Sequence, residues 1–460
     1  MKSKKFFHRG LILALVLALC ASCLFGCKIS NTQPGGDDDV DPDHNTEATV
    51  HITVGTLMDS NERNLMQTWI NKFQQLHKEV SIEITKTYNS MPELINYKST
   101  NTMPDICWTA GDQHASYSDP NNLGYFQNLA DEEKFEGSAE FFDGFYDEVI
   151  ETTHYRNGDT GIWFVPRDYN RLVIFYNVTV FNNLGISLPT DGWTWDEFME
   201  TCNLLKEKGC ANAIEWRNWA PVHSTMVKNF GAEYVDENCY FAFDSAEAEA
   251  CYNWYREFIG SVATVGEGSL FGSYSSTQTT APRAAMVVDT YAKLAYYTGR
   301  AEKNGWVCDA VAFPNYKQAD GSNGYVGAGC SGYAITTSCT DEETRNWAWE
   351  FLKWCMSEEG YNEVASLGVV CPALESMRDS GAWTQFESSG YVVNYRAFVD
   401  DSTNDLSLNY QNVLQSTTDQ GELVGMILSF WNSALSTDFT SAARDLKQSY
   451  ESVTNIRRPE

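Results

Sequence analysis

The chain is poor in positive charge. Among 460 residues, 32 Lys and Arg face 62 Asp and Glu, a formal net charge of -30. Phosphate-backbone binding needs clustered Lys and Arg, so this balance argues against a nucleic-acid partner. It also disfavours contact with anionic surfaces. After residue 26 no stretch approaches the ~18–20 continuous apolar residues that a spanning helix needs. Histidine is rare, and His44, His51, His77, His114, His154 and His223 stand without metal-ligand spacing. H-E-x-x-H, G-x-S-x-G and P-loop signatures are missing, so no common catalytic motif is present. The ten cysteines after residue 27 form no C-x-x-C pair, which leaves zinc and thioredoxin-like chemistry without support. Whether they pair as disulfides or serve as small buried hydrophobes stays open. No repeat of fixed period occurs. What is present is core material: 43% hydrophobic and 13% aromatic residues. At ~150 residues per domain, the length predicts two to three domains or lobes.

The N-terminus has a distinct composition. Lys2, Lys4, Lys5 and Arg9 precede an apolar run from Leu11 to Leu19, too short to span a bilayer comfortably. Residues 1–26 read as a signal peptide. Leu24-Phe25-Gly26-Cys27 resembles a bacterial lipobox, which implies cleavage before Cys27 and its lipidation. An ordinary signal peptide with incidental cysteines is the alternative. Residues 27–48 hold Pro, Gly and an acidic run from Asp37 to Asp43, and read as a flexible acidic tether.

Periodicity then predicts an α/β chain. Val50, Ile52 and Val54 alternate as a strand. Leu65, Met66, Trp69, Ile70 and Phe73 form one helical stripe between about 60 and 78, and Asp59 to Glu62 has capping-box spacing. Strands follow at 80–85 and 104–109, the opening of a parallel α/β sheet. Further strands are expected at 162–166, 172–176, 286–288, 312–314 and 333–336. Helices are expected near 196–208, with Thr194 and Glu197 as a second capping box, near 245–259, and after Thr340. The last third reads as mostly helical.

Several segments together resemble the family 1 extracellular solute-binding proteins, the sugar-binding lipoproteins of ABC transporters related to maltose-binding protein. The carriers are Gly161-Ile162-Trp163-Phe164-Val165-Pro166-Arg167-Asp168-Tyr169-Asn170, Phe175 to Asn177, Trp193 to Phe198, Phe243 to Ala248, Ala284 to Asp289, Gly327 to Ile335 and Trp349 to Trp354. Their order and spacing match the family from about residue 49 onward. The resemblance implies a type II periplasmic-binding-protein fold: two α/β lobes, hinge crossovers, and a ligand cleft between them. The N-lobe is expected at 49–171 plus 330–368, and the C-lobe at 172–329 plus 369–460. It further implies a non-enzymatic monomer without a cofactor, lipid-anchored at the outer face of the cytoplasmic membrane. That protein would capture a carbohydrate, expected to be an oligosaccharide, and deliver it to permease subunits. A surface glycoside hydrolase is the alternative, since 62 acids guarantee coincidental carboxylate pairs. An adhesin-type lipoprotein is another.

A sugar site needs aromatic faces and planar polar groups at the C-terminal edges of strands. Trp108, Asp112 and Gln113 end the strand that starts at Pro104, and Asp59 lies just after the first strand. Trp216 and Trp219 belong to an aromatic-rich segment without helical period, read as a stacking platform. Tyr410 is a late aromatic candidate. By resemblance, Asp168 and Tyr169 match the family's polar-aromatic pair, and Asp289 and Tyr291 fall where many relatives carry Asp-Gly-Ser-Trp. Gly327 to Gly332 satisfies G-x-G-x-x-G, but a strand-like run follows it, so a hinge at Gly327, Gly329 and Cys330 is expected instead of a nucleotide site.

Overall fold

A computed structural model describes residues 48–155, 158–273, 282–386, 393–407 and 420–459. Residues 1–47, which include Cys27 and the segments read as a signal peptide and a tether, and Tyr410 lie outside the described residues.

The first sheet follows from alternation. In β1 (Val50–Leu57), Val50, Ile52 and Val54 point into the core. Helix α1 (Ser60–Leu76) lays its apolar stripe over the sheet, and β2 (Val80–Tyr88) and β3 (Ile106–Ala110) run parallel to β1 on its two sides. The order is completed by β12 (Ser331–Ile335) and then β4 (Val165–Pro166), both antiparallel additions. The expected strand at 162–166 thus shrinks to two residues: β4 is an edge strand whose Pro166 lacks an N–H, and the Ile162 amide bonds to Asn128 Oδ1 instead of a neighbouring strand.

A second sheet is built from β6 (Val173–Asn177), β7 (Ile214–Arg217), β8 (Ala263–Gly266), β9 (Met286–Asp289) and β10 (Cys308–Ala312), in the order β10-β6-β9-β7-β8. Strand β10 ends two residues before Pro314, where an expected strand at 312–314 would have placed proline inside the ladder. Helices α2 (Trp195–Glu207), α3 (Ala220–Asn229) and α4 (Ala246–Ser261) come from this part of the chain. The Thr194–Glu197 capping box forms in both directions. Helix α5 (Glu342–Cys355) returns to the first sheet, capped by Asp341, while α6 (Gln420–Ser433) and α7 (Phe439–Thr454) join the second.

A small third sheet spans the connections. Its strands are β5 (Asn170–Arg171), β11 (Tyr325–Gly329) and β13 (Asn404–Ser407). Through β5 the chain leaves the first sheet for the second, and from β11 it returns through Cys330 to β12. Two strands of opposite direction, paired at Ala328–Arg171 and Gly329–Asn170, therefore carry two crossings side by side. Gly327 permits this: a Cβ there would lie 2.8 Å from Thr225 Oγ1 and 2.9 Å from the Pro221 carbonyl on α3.

The apolar side chains form one large cluster around the first sheet and another around the second, with a smaller one on the far face of the second sheet. Nine cysteines sit in these interiors as free thiols: Cys107, Cys202, Cys210, Cys251, Cys308, Cys330, Cys339, Cys355 and Cys371. Burial pushes the Cys210 and Cys371 thiols up to about 11. They pack as small hydrophobes. No helix of the described residues is long and apolar enough to cross a membrane.

Candidate functional site

A cavity of ≈330 Å³ opens at the two crossings. One wall comes from segments that follow β1 and β3: Asp59, Asn61 and Glu62, then Gly111, Asp112 and Gln113, with Trp108 from β3 itself. The opposite wall comes from segments that follow β7 and β9: Trp219 and Pro221, then Thr290, Ala292 and Lys293. The strands of each pair run in the same direction within their sheets. The cavity therefore collects the C-terminal edges of two parallel strand pairs, where loops rather than ladders face outward. The crossings supply the floor, with Arg167, Asp168, Asn170 and Gly327 through Ser331.

An ion network anchors the floor. Arg167 is buried and donates to Glu62 Oε2, to Asp168 Oδ2 at 2.6 Å, and to Ser331 Oγ at 2.8 Å. Asp168 also accepts from the Ser331 amide at 2.7 Å and its hydroxyl at 2.9 Å. Tyr333 donates its hydroxyl to Glu62 Oε1. Burial opposes the Arg167 charge, yet the Glu62 and Asp168 carboxylates more than offset it, so the guanidinium stays firmly protonated. Asp112 is raised above the usual carboxylate range, first because the cavity wall desolvates it.

Two indoles stand on the opposing walls. Trp108, in β3, keeps its ring nearly buried, and its Nε1–H has no partner within the protein. Asn170 Oδ1 is likewise buried and unpartnered. Trp219 is half-buried at the N-terminus of α3, with the Arg217 guanidinium 5.2 Å from its ring centroid. Buried polar atoms normally find partners, so these two atoms hold unmet hydrogen-bonding capacity beside the cavity, although neither is itself exposed to it.

Six of the sequence candidates come together here: Asp59, Trp108, Asp112, Gln113, Asp168 and Trp219 line the cavity, as do Gly327, Gly329 and Cys330 at the crossing. Asp59 also caps α1, accepting from the Asn61 and Glu62 amides at 2.9 and 3.2 Å. Four candidates are placed elsewhere. Trp216 is fully buried among Trp195, Trp254 and Phe258, because 214–217 is a strand and alternation sends Trp216 into the core. Tyr169 turns away from Asp168, stacks on Tyr146, and donates to Asp405 at 2.6 Å. Tyr291 packs against Trp383 and Phe398 and bonds the Trp383 carbonyl at 2.9 Å. Asp289 is buried behind the wall, paired with Arg217 at 2.9 Å and accepting from Tyr297 at 2.7 Å.

Sequence reasoning missed Glu62, Arg167, Asn170, Lys293 and Ser331. The spacing from Asp59 to Glu62 predicts a capping box, but the Glu62 carboxylate faces Arg167 and Tyr333, so only the Asp59 half of the box forms. The signal for Arg167 was available: an Arg beside an Asp in an otherwise apolar segment implies a paired charge. Among the described residues no group of three or more His, Cys, Asp or Glu side chains is arranged to hold a metal ion.

Comparison with known proteins places this geometry. No curated sequence matches the chain. Solved structures do, at low identity. The GacH receptor of Streptomyces glaucescens, known unliganded and with acarbose, is 15% identical, with a TM-score of 0.68 over 89% of this chain and 99% of its own. The substrate-binding protein Lmo0181 of Listeria monocytogenes, in complex with cycloalternan, is 13% identical, with a TM-score of 0.67 over 88% and 99%. UgpB of Mycobacterium tuberculosis, in complex with glycerophosphocholine, is 16% identical, with a TM-score of 0.67 over 88% and 98%. At such identity the likeness establishes the fold, the two-lobed arrangement of the periplasmic binding proteins. The family model for bacterial extracellular solute-binding proteins matches residues 59–362, about two thirds of the sequence, and the chain belongs to that family.

Proposed function

We propose that this protein is the lipid-anchored capture component of an ABC importer, and that its cavity binds a neutral sugar or sugar-like polyol without transforming it. One observation supports the ligand class above the rest: two indoles, Trp108 and Trp219, line one cavity together with the polar side chains of Asp59, Asp112, Gln113 and Asn170. A sugar offers apolar ring faces for the indoles, and each hydroxyl both donates and accepts. Asp59, Glu62, Asp112 and Asp168 against Arg167 and Lys293 leave the lining acidic, which favours a neutral ligand over a phosphorylated or carboxylated one. The acarbose and cycloalternan complexes of the two sugar-binding relatives agree with this reading.

The volume sits near the lower end of the roughly 300–1,000 Å³ usual for ligand pockets, so a short glycan, or one end of a longer one, is enclosed. In this reading the lobes are 49–171 plus 330–368 and 172–329 plus 369–460, and they close about Gly327, Gly329 and Cys330. Cys27 carries the lipid, and permease subunits receive the ligand.

The test is a thermal-shift screen of neutral mono- and oligosaccharides, polyols, sugar phosphates and glycerophosphocholine. A neutral sugar at 100 times its Kd stabilises the protein by about 2.7 kcal/mol. Mass spectrometry of the recovered sugar should show it intact. Shifts confined to the anionic or zwitterionic compounds would remove the sugar assignment, and shortened products would restore the hydrolase alternative.

A further inference from the structure

We infer that Arg217 is a positioning residue that sets the Trp219 plate, and that Asp289 serves the site through Arg217 without touching ligand. The purpose rests on the sugar reading above; the geometry does not. Arg217 ends β7, and Trp219 follows two residues later as α3 begins, so the ring is carried by a short connection that could orient it in several ways. The guanidinium lies over the ring at 5.2 Å from its centroid, within cation–π range. Its own position is fixed from two sides. Nη1 meets Asp289 Oδ1 at 2.9 Å, and Nη2 meets Glu267 Oε2 at 3.1 Å.

Asp289 is itself held, and Glu267, with a side chain two-thirds exposed, stands at the edge of a pinned loop. Asp289 is nearly without solvent exposure and accepts in addition from Tyr297 at 2.7 Å and from the amide of Thr290 at 3.0 Å, a cavity residue. Glu267 begins a loop pinned by Glu215. That fully buried carboxylate, two residues before Arg217, accepts the amides of Gly268, Ser269, Leu270 and Phe271 at 2.8 to 3.1 Å. Arg300 fixes the same loop from outside, donating to the Gly268 and Ser269 carbonyls at 2.8 and 2.6 Å. The polar groups of one strand edge and one loop thus converge on a single cation, and that cation faces one aromatic ring of the cavity. An aromatic plate for a sugar gains affinity from being held in place before the ligand arrives.

The experiment is fluorine NMR of full-length protein labelled with 5-fluorotryptophan. Trp219→Phe identifies the Trp219 line among those of the fourteen tryptophans. In ligand-free Arg217→Gln, that line should move or split while the others hold. Arg217→Lys keeps the charge but not the two-sided pairing, and should restore the line only in part. A Trp219 line unmoved in Arg217→Gln overturns the inference. If that variant does not fold, Arg217→Lys decides, and a wild-type line there overturns it equally. Titration with maltotriose separates the two levels: the inference expects about three- to tenfold weaker binding in Arg217→Gln, the scale of one cation–π contact. Wild-type protein that binds neither maltotriose nor another neutral sugar removes the sugar reading while the ligand-free NMR result still stands.

Discussion

Replacing Trp108 by Phe separates a ligand-binding indole from a core one, because the two roles predict opposite balances. The Trp108 ring is 92% buried yet its N–H has no partner. A buried unsatisfied donor costs about 1–3 kcal/mol, and Phe removes that cost. Phe also gives up the extra ring, roughly 40 Å² of apolar contact, or about 1 kcal/mol at 25 cal/mol/Å². The two effects oppose each other, so urea unfolding of ligand-free Trp108→Phe should fall between unchanged and about 2 kcal/mol more stable. Binding should respond differently. A ring face remains, but the indole's larger surface against the ligand is lost, which weakens affinity by about 0.5–1.5 kcal/mol, or roughly two- to twelvefold. Trp108→Ala removes the face as well and should exceed tenfold, or about 1.4 kcal/mol. Isothermal titration calorimetry with the best sugar from the thermal-shift screen measures both variants. Unchanged affinity in Trp108→Ala, together with a loss of several kcal/mol in ligand-free stability, would make Trp108 a core residue and refute this account of the cavity.

Three further expectations follow from buried polar groups. Arg167→Met leaves the Glu62 and Asp168 carboxylates without their cation, and urea denaturation should show a loss of about 3–5 kcal/mol; a loss under 1 kcal/mol would contradict the network. Glu215→Ala strands four loop amides and should cost at least about 2 kcal/mol, with faster proteolysis near 267–271 as the local readout. Burial lowers the imidazole of His114 to about 4 and that of His223 to about 3, against about 6.5 when unfolded. The unfolded chain therefore binds more protons between those values, so these two groups add stability that is full above pH ~6.5 and is lost as pH falls toward 4 and then 3. His114 faces Ser118 and the Thr152 carbonyl, and His223 faces Asn218 and the Trp431 ring, so neither has a carboxylate within hydrogen-bonding distance to hold a proton. Melting curves across pH 4–7 should flatten in His114→Gln; an identical slope would exclude His114 as a contributor.

The order of elements was legible in the sequence because it depends on local periodicity. Val50, Ile52 and Val54 on one side of a strand, the stripe of α1, the capping box at Thr194 and the Asp341 N-cap before α5 are nearest-neighbour properties of the chain. The cavity residues at strand ends, Trp108, Asp112 and Gln113, were legible for the same reason: a strand that stops near Ala110 must hand its next residues to a loop. Which polar group faces which was not. Glu62 has the spacing of a helix cap, and only the approach of Arg167 and Tyr333, from positions more than a hundred residues away, draws it inward. Trp216 and Trp219 look equivalent in sequence, yet strand alternation buries one and the start of a helix presents the other. Asp289 reads as a ligand contact until Arg217 is seen to occupy it. Local pattern fixes where a side chain leaves the backbone, whereas long-range packing decides what it meets, and the cavity is made of such meetings between segments distant in the chain.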